Sequence, residues 1–316
     1  MTPGYVTLHE RGELAQRIDA ALAMLEACGL CPRMCRVNRL ENELGFCQTG
    51  RLSKVAGYNL HFGEEAPLVG DKGSGTIFFS MCNLGCVFCQ NYNISHEAEG
   101  AQEVTKDQLA WIMLDLQRSG AVNINFVTPT HVVPQILEAL PLAAEGGLRV
   151  PLVYNTGAYD RVKTLRLLNG VFDIYMPDAK FAKPKHAGRY CEARDYPGRA
   201  RAAIKEMHRQ AGDLTMDEDG IAVKGLLVRH LVMPEGLAGT KEWMDFLGRE
   251  ISKNTYVNVM DQYRPCGQAS EFPELNRGIT PSEFEEALKA AKEAGITRLD
   301  ERGPVFVRRL WQTLKT

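Results

Sequence analysis

Cys82, Cys86 and Cys89 fall within eight residues, in the run Cys82-Asn-Leu-Gly-Cys86-Val-Phe-Cys89. Thiolates at that density are ligands for soft metals, and an iron–sulfur cube normally takes four of them. Three cysteines can wrap three corners of one cube and leave the fourth iron without a protein ligand. An iron left bare is a place for a substrate or cofactor to bind, as at the open position of a catalytic zinc site. Gly85 lets the loop turn tightly. The plainer alternative is a structural zinc knuckle, for which His96 is the local candidate fourth ligand.

A second group is Cys28-x2-Cys31-x3-Cys35, closed by Cys47 after eleven further residues. Four thiolates complete a tetrahedral zinc shell or a second iron–sulfur cube. Spacing does not separate the two. A full shell implies a structural or electron-relay role. Pro32 stiffens this knuckle and Gly45 permits the turn into Cys47. Cys191 and Cys266 stand alone and read as small buried hydrophobes.

The chain has nine cysteines, an odd number that pairing into disulfides does not explain. Met1 to Glu10 lacks the basic region and apolar core of a secretory signal. No stretch approaches the roughly 20 apolar residues of a membrane span. A cytoplasmic location is therefore expected, where clustered thiols are metal ligands before they are disulfides. The formal net charge of −2 offers no field for nucleic acid or anionic lipid.

These residues need a scaffold. Apolar Leu14, Ile18, Leu22 and Leu25 at helical spacing predict a helix over Gly12–Ala27. A glycine-rich connection follows, through Gly63, Gly70, Gly73 and Gly75. Buried parallel strands are expected at Thr76–Ser80, Val122–Val127, Leu152–Asn155, Phe172–Met176, Gly225–Leu231 and Tyr256–Met260. Between them lie helical patterns at Lys106–Ser119, Val132–Ala144, Asp160–Leu168, Ala200–Gln210 and Thr240–Gly248. Alternation of this kind predicts an α/β fold, an incomplete (β/α)6 barrel with a cysteine-rich helical extension at its N-terminus. In such barrels the chemistry sits at the C-terminal ends of the strands, where the Cys82–Cys89 loop falls. A last helix is announced by Thr280, Pro281 and Glu283. The expected domains are 1–72, the extension; 73–270, the partial barrel; and 271–316, a helical tail.

The Cys-x3-Cys-x-aromatic-Cys loop, with Phe88 before the last cysteine, resembles the signature of the radical S-adenosylmethionine (SAM) superfamily. Further stretches are similar to its pyruvate formate-lyase activating enzyme-like branch: Gly73-Ser-Gly-Thr-Ile-Phe-Phe-Ser80, Cys89-Gln-Asn-Tyr92, Val127-Thr-Pro-Thr-His131, Asp195-Tyr-Pro197, Arg229-His-Leu231 and Gln262-Tyr263. The resemblance runs from about Cys28 to about Tyr263 and includes the N-terminal cysteine group.

The resemblance implies a [4Fe-4S] cluster on Cys82, Cys86 and Cys89 with one open iron that chelates S-adenosyl-L-methionine. An electron into the cluster then releases a 5′-deoxyadenosyl radical, which abstracts hydrogen from a substrate. It implies a reductant such as flavodoxin or ferredoxin, and a protein substrate if the chain activates a glycyl-radical enzyme. Modification of another protein side chain or a small molecule is the alternative, and a non-catalytic iron–sulfur or zinc relay is a third reading. Asp178-Ala-Lys180 matches a cofactor-holding pair of the activating enzymes, against the reading of an exposed salt-bridging turn. Asn91 and Asn155 are further cofactor contacts, with Thr156 and Gly157 beside the latter. Thr128 and Thr130 stand where relatives carry a Gly-Gly-Glu, and His131 either joins them or caps the next helix. Gln262 takes the place of a cofactor-contacting histidine. Arg229 and His230 read as charges satisfied within the core.

Overall fold

Each of the six apolar runs is a strand, and the six lie side by side in chain order. The computed structural model describes residues 2–300, so the last part of the expected tail, 301–316, lies outside the described residues. The strands are β1 (Ser53–His61), β2 (Ser74–Phe79), β3 (Gln102–Val104), β4 (Ile124–Val127), β5 (Leu152–Thr156), β6 (Ile174–Pro177), β7 (Thr215–Met216), β8 (Ala222–Leu231), β9 (Tyr256–Met260) and β10 (Arg298–Leu299). They form one sheet in the order β10-β9-β8-β6-β5-β4-β2-β1-β3, with β7 attached to β8. From β2 to β10 every neighbouring pair is parallel. The fold is mixed α/β with a central, mainly parallel sheet.

Parallel neighbours need a crossover, and helices supply it. The helices are α1 (Gly4–Glu10), α2 (Glu13–Ala23), α3 (Ala66–Val69), α4 (Tyr92–His96), α5 (Lys106–Arg118), α6 (Val133–Glu145), α7 (Val162–Leu167), α8 (Pro184–Cys191), α9 (Tyr196–Ala211), α10 (Thr240–Phe246) and α11 (Pro281–Glu293). Strands covered on both faces must be apolar along their length. Ile77, Ile124, Phe126, Leu152, Tyr154, Ile174 and Val257 are accordingly buried. The starts of α5 and α11 are set by capping boxes, Thr105 with Gln108 and Thr280 with Glu283.

Two features differ from the expectation. The expected Gly12–Ala27 helix is shorter, because Gly12 adopts φ 71° and caps α2 while the chain leaves the helix after Ala23. The glycine-rich connection contains β1, which pairs antiparallel with β2. Its residues alternate weakly and include Gly57 and Asn59, so no apolar pattern marked it. The expected boundary at residue 73 therefore separates two paired strands, and Tyr5, Val6 and Leu14 of the extension share the core of the sheet. Asp173 fastens this join, accepting from Gly4 N at 3.0 Å and Leu152 N at 3.0 Å.

Candidate active site

A cavity of about 450 Å3 opens at the C-terminal ends of the parallel strands. Three strands leave the sheet there through non-glycine residues in the left-handed region, Met81 (φ 67°), Thr128 (φ 60°) and Ala158 (φ 61°). L-residues avoid this conformation, most of all β-branched ones, and such strain collects where the backbone serves a site.

Met81 leads into the cysteine loop, and Cys82, Cys86 and Cys89 all line the cavity. Main-chain amides two residues on are aimed at two of the sulfurs: Leu84 N lies 3.3 Å from Cys82 Sγ, and Asn91 N donates to Cys89. Ser95 Oγ adds a 3.2 Å bond to Cys89 Sγ, and itself lies 2.8 Å from His96 Nδ1. Burial, then the neighbouring Cys86, pushes the Cys82 thiol up to about 12, and the same two causes raise Cys89. Three crowded thiols in a dry pocket stay protonated unless a cation draws off their charge, which is the behaviour of metal ligands. Among the described residues, no three His, Cys, Asp or Glu side chains are grouped so as to hold a metal ion. Cys82, Cys86 and Cys89 nonetheless line one side of the cavity. Phe88 locks the loop by packing on Phe181 at 5.6 Å.

The facing wall is ionic. Asp178 accepts from Lys180 Nζ at 2.9 Å and from Arg229 Nε at 2.7 Å. Arg229 also reaches Asn155 Oδ1 at 2.7 Å and Glu64 Oε2 at 3.2 Å. Burial raises the Asp178 carboxyl, but Arg229 and Lys180 outweigh it and hold it at about 2. Burial likewise disfavours the charge on Lys180, and Asp178 overrides it, so the ammonium is kept above its ordinary range. The backbone under this pair is fixed: His230 Nδ1 bonds Ala179 O at 2.7 Å, and Tyr196 Oη donates to Asp178 O at 2.7 Å. Two cations and two carboxylates beside the cysteine loop suit a zwitterionic headgroup.

Of the residues expected from sequence, Asn91, Thr128, Asn155, Asp178, Lys180 and Gln262 line this cavity, as do Thr156 and Gly157. Thr130 does not join them. It is 1% exposed and its hydroxyl is taken by Asp160 at 2.9 Å and Thr156 at 3.1 Å. Asp160 also accepts from Tyr154 and Thr156, so it braces the loops from below. His131 caps no helix, since its Nε2 bonds Ser80 O at 2.9 Å. Arg229 and Glu64 are the residues the sequence reading left out of the site. The signal for Arg229 was present: a cation in a buried strand needs an anionic partner.

Cys28, Cys31, Cys35 and Cys47 border a separate, smaller gap. The two cysteine groups are neighbours. Arg33 donates to Asn83 O at 2.9 Å and Leu84 O at 2.9 Å, in the three-cysteine loop, and its guanidinium stacks 3.7 Å over Phe46.

No protein-family model matches the chain. A radical SAM methyltransferase from Sphaerobacter thermophilus superposes with a TM-score of 0.49 at 16% identity, over 72% of this chain and 65% of that one. The chain is 35% identical over 289 residues to the uncharacterized protein MJ0674 of Methanocaldococcus jannaschii, covering 89% of this chain and 78% of that protein. By that match the chain belongs to the family of MJ0674.

Proposed function

We propose that this chain is a radical SAM enzyme, with Cys82, Cys86 and Cys89 holding three corners of a [4Fe-4S] cluster. One observation carries the reading: three cysteines with spacing for a cube border a cavity whose facing wall is the Asp178–Lys180–Arg229 network. When bound, the cluster and S-adenosylmethionine together supply a one-electron cleavage whose 5′-deoxyadenosyl radical takes hydrogen from a substrate.

The protein's own part is binding, orientation and exclusion of water. Lys180, Arg229, Asp178 and Glu64 line the cavity opposite the cysteine loop and would hold the polar, amino-acid end of the cofactor. Asn155 and the strained Thr128 offer hydrogen bonds at the rim. Leu84, Phe88, Leu231 and Met260 give the cavity its apolar lining, which limits quenching of a reactive intermediate by water. The partial-barrel reading is supported by distant strands reaching one point: Asn125 of β4 and Arg229 of β8 bond Glu64, while Asn258 of β9 bonds Glu65.

A protein substrate, as an activase would have, is favoured by a second feature. Cys89 and Gln90 also border an open groove of about 730 Å3 that runs along Tyr92, Arg264 and Cys266. A groove that shares Cys89 and Gln90 with the cavity admits a chain segment better than a closed pocket would. A flavodoxin- or ferredoxin-type donor in the cytoplasm is the fitting reductant. No helix among the described residues is long and apolar enough to cross a membrane.

The test is anaerobic reconstitution followed by dithionite reduction with S-adenosylmethionine. The expected product is 5′-deoxyadenosine, abolished by Cys86→Ala. Well-loaded protein that forms none would overturn the reading and favour a non-catalytic relay.

A further inference from the structure

Arg33 lies in the N-terminal extension, between Cys31 and Cys35, yet its side chain bonds only to carbonyls outside it. Nε donates to Asn83 O at 2.9 Å, and Nη2 donates to Leu84 O at 2.9 Å and to Cys191 O at 3.0 Å. Nη1 donates to Glu192 O at 2.6 Å. The guanidinium lies 3.7 Å from the ring centre of Phe46 and 5.4 Å from that of Tyr159. Phe46 packs on the cysteine loop as well, since a Cβ added at Gly85 would come within 3.0 Å of its Cζ. Asn83, Leu84 and Gly85 are the whole span between Cys82 and Cys86. Two residues of the extension therefore clamp it.

The two loop carbonyls lead straight to a sulfur. A trans peptide group is rigid and planar, so its C=O and N–H point in opposite directions. The carbonyl of Asn83 shares its peptide group with Leu84 N, which lies 3.3 Å from Cys82 Sγ. The carbonyl of Leu84 shares its group with Gly85 N, which also donates to Cys82. One guanidinium thus grips both peptide planes whose amides face Cys82. Bonding at the carbonyl also polarises each peptide and strengthens its N–H as a donor. The other two carbonyls lie at the C-terminal end of α8, where a cation is favoured. Holding them seats Cys191, whose Sγ lies 3.3 Å from Cys86 Sγ.

We infer that Arg33 is a positioning residue for the three-cysteine cluster. It aims the amides of Leu84 and Gly85 at Cys82 and sets Cys191 against Cys86. Hydrogen bonds to ligand sulfurs and the charge around a cluster help set its potential. The four partners of Arg33 are neutral carbonyls, so they leave its positive charge beside the loop. Both effects make the cluster easier to reduce.

The inference rests on the reading that Cys82, Cys86 and Cys89 carry a cluster, and the cluster's spectrum and potential test it. Arg33→Met and Arg33→Lys are reconstituted anaerobically and compared with the native chain at equal iron. Arg33→Met should shift the cluster to a more negative potential and alter the g-values of the dithionite-reduced protein. Its rate of 5′-deoxyadenosine formation per cluster should fall at least about tenfold. The KM for S-adenosylmethionine should stay near native, because the Asp178–Lys180–Arg229 wall is untouched. Lysine keeps the charge but loses the fork, so Arg33→Lys should regain part of the potential and leave the g-values altered. Native potential and g-values in Arg33→Met overturn the inference, however far its melting temperature falls. If Arg33→Met holds no iron, Phe46→Ala decides, since Phe46 is 36% exposed and its loss frees one face of the guanidinium. Altered g-values in that variant uphold the inference and native ones overturn it. A native chain that keeps its cluster but forms no 5′-deoxyadenosine sinks the proposed function, while an altered spectrum in Arg33→Met still upholds the inference.

Discussion

The Sγ atoms of Cys86 and Cys191 lie 3.3 Å apart, both buried, with Cys191 in the last turn of α8. The contact is held from outside. Val87 N bonds Tyr190 O at 3.0 Å, and Arg33 Nη2 donates to Cys191 O at 3.0 Å. Cys191 thus places a weak S–H donor against the middle cysteine of the loop. Hydrogen bonds to ligand sulfurs help set a cluster's potential. Cys191→Ala should keep its iron and shift the cluster to a more negative potential, while Cys191→Ser keeps a donor and restores the shift. A potentiometric titration of all three proteins checks this, and an unchanged potential in the alanine variant refutes it.

Arg229 joins residues far apart in sequence, Glu64, Asn155 and Asp178. Arg229→Met would leave Glu64 without its cation and Asp178 with Lys180 alone, and destabilise the fold by about 3 kcal/mol. Arg229→Lys keeps the charge but loses the fork, so it should recover only part of that stability. Urea unfolding of the apoprotein measures both. Equal stability of the methionine variant and the native chain would show that Arg229 holds nothing together.

This network also shows how far the sequence could be read. The six strands were legible because burial on both faces writes itself as continuous apolar runs. The two cysteine groups were legible as groups because their spacing is local. Asp178 and Lys180 sat in a short loop after a strand, where site residues collect. The Glu64–Arg229 pair was hidden, since its members are 165 residues apart and only the folded sheet brings them together. Thr130 misled for the same reason, because Asp160, which claims its hydroxyl, belongs to the next crossover. β1 went unread because its residues lack a steady alternation.

His230 is buried and neutral, bonded to Ala179 O and to Thr240 Oγ1 at 2.9 Å. Burial lowers its pKa to about 4, against about 6.5 in the unfolded chain. A depressed folded value means the stability is present above pH 6.5 and is lost as the pH falls toward 4, at about 1.4 kcal/mol per unit. His230→Gln does not titrate. The stability gap between native chain and variant should therefore shrink by about 2 kcal/mol from pH 7.5 to pH 5. A gap that stays constant in denaturant titrations at the two pH values would contradict a neutral His230.

Thr128 holds φ 60° at the cavity rim, a conformation that suits glycine. Thr128→Gly should stabilise the fold by up to about 1 kcal/mol by relieving that strain. If the hydroxyl serves the cofactor, the same variant should bind S-adenosylmethionine several-fold more weakly. Calorimetric melting and equilibrium binding on reconstituted protein read the two effects separately. Higher stability with unaltered affinity would remove Thr128 from the site.

The claim on which the rest turns is that the Cys82–Cys89 cluster keeps one iron free for a small molecule. Electron paramagnetic resonance of the dithionite-reduced protein, before and after S-adenosylmethionine is added, examines that iron directly. A change in the g-values of the signal that disappears with Cys86→Ala is the predicted result. A spectrum indifferent to S-adenosylmethionine, in protein carrying its full iron, would contradict the account.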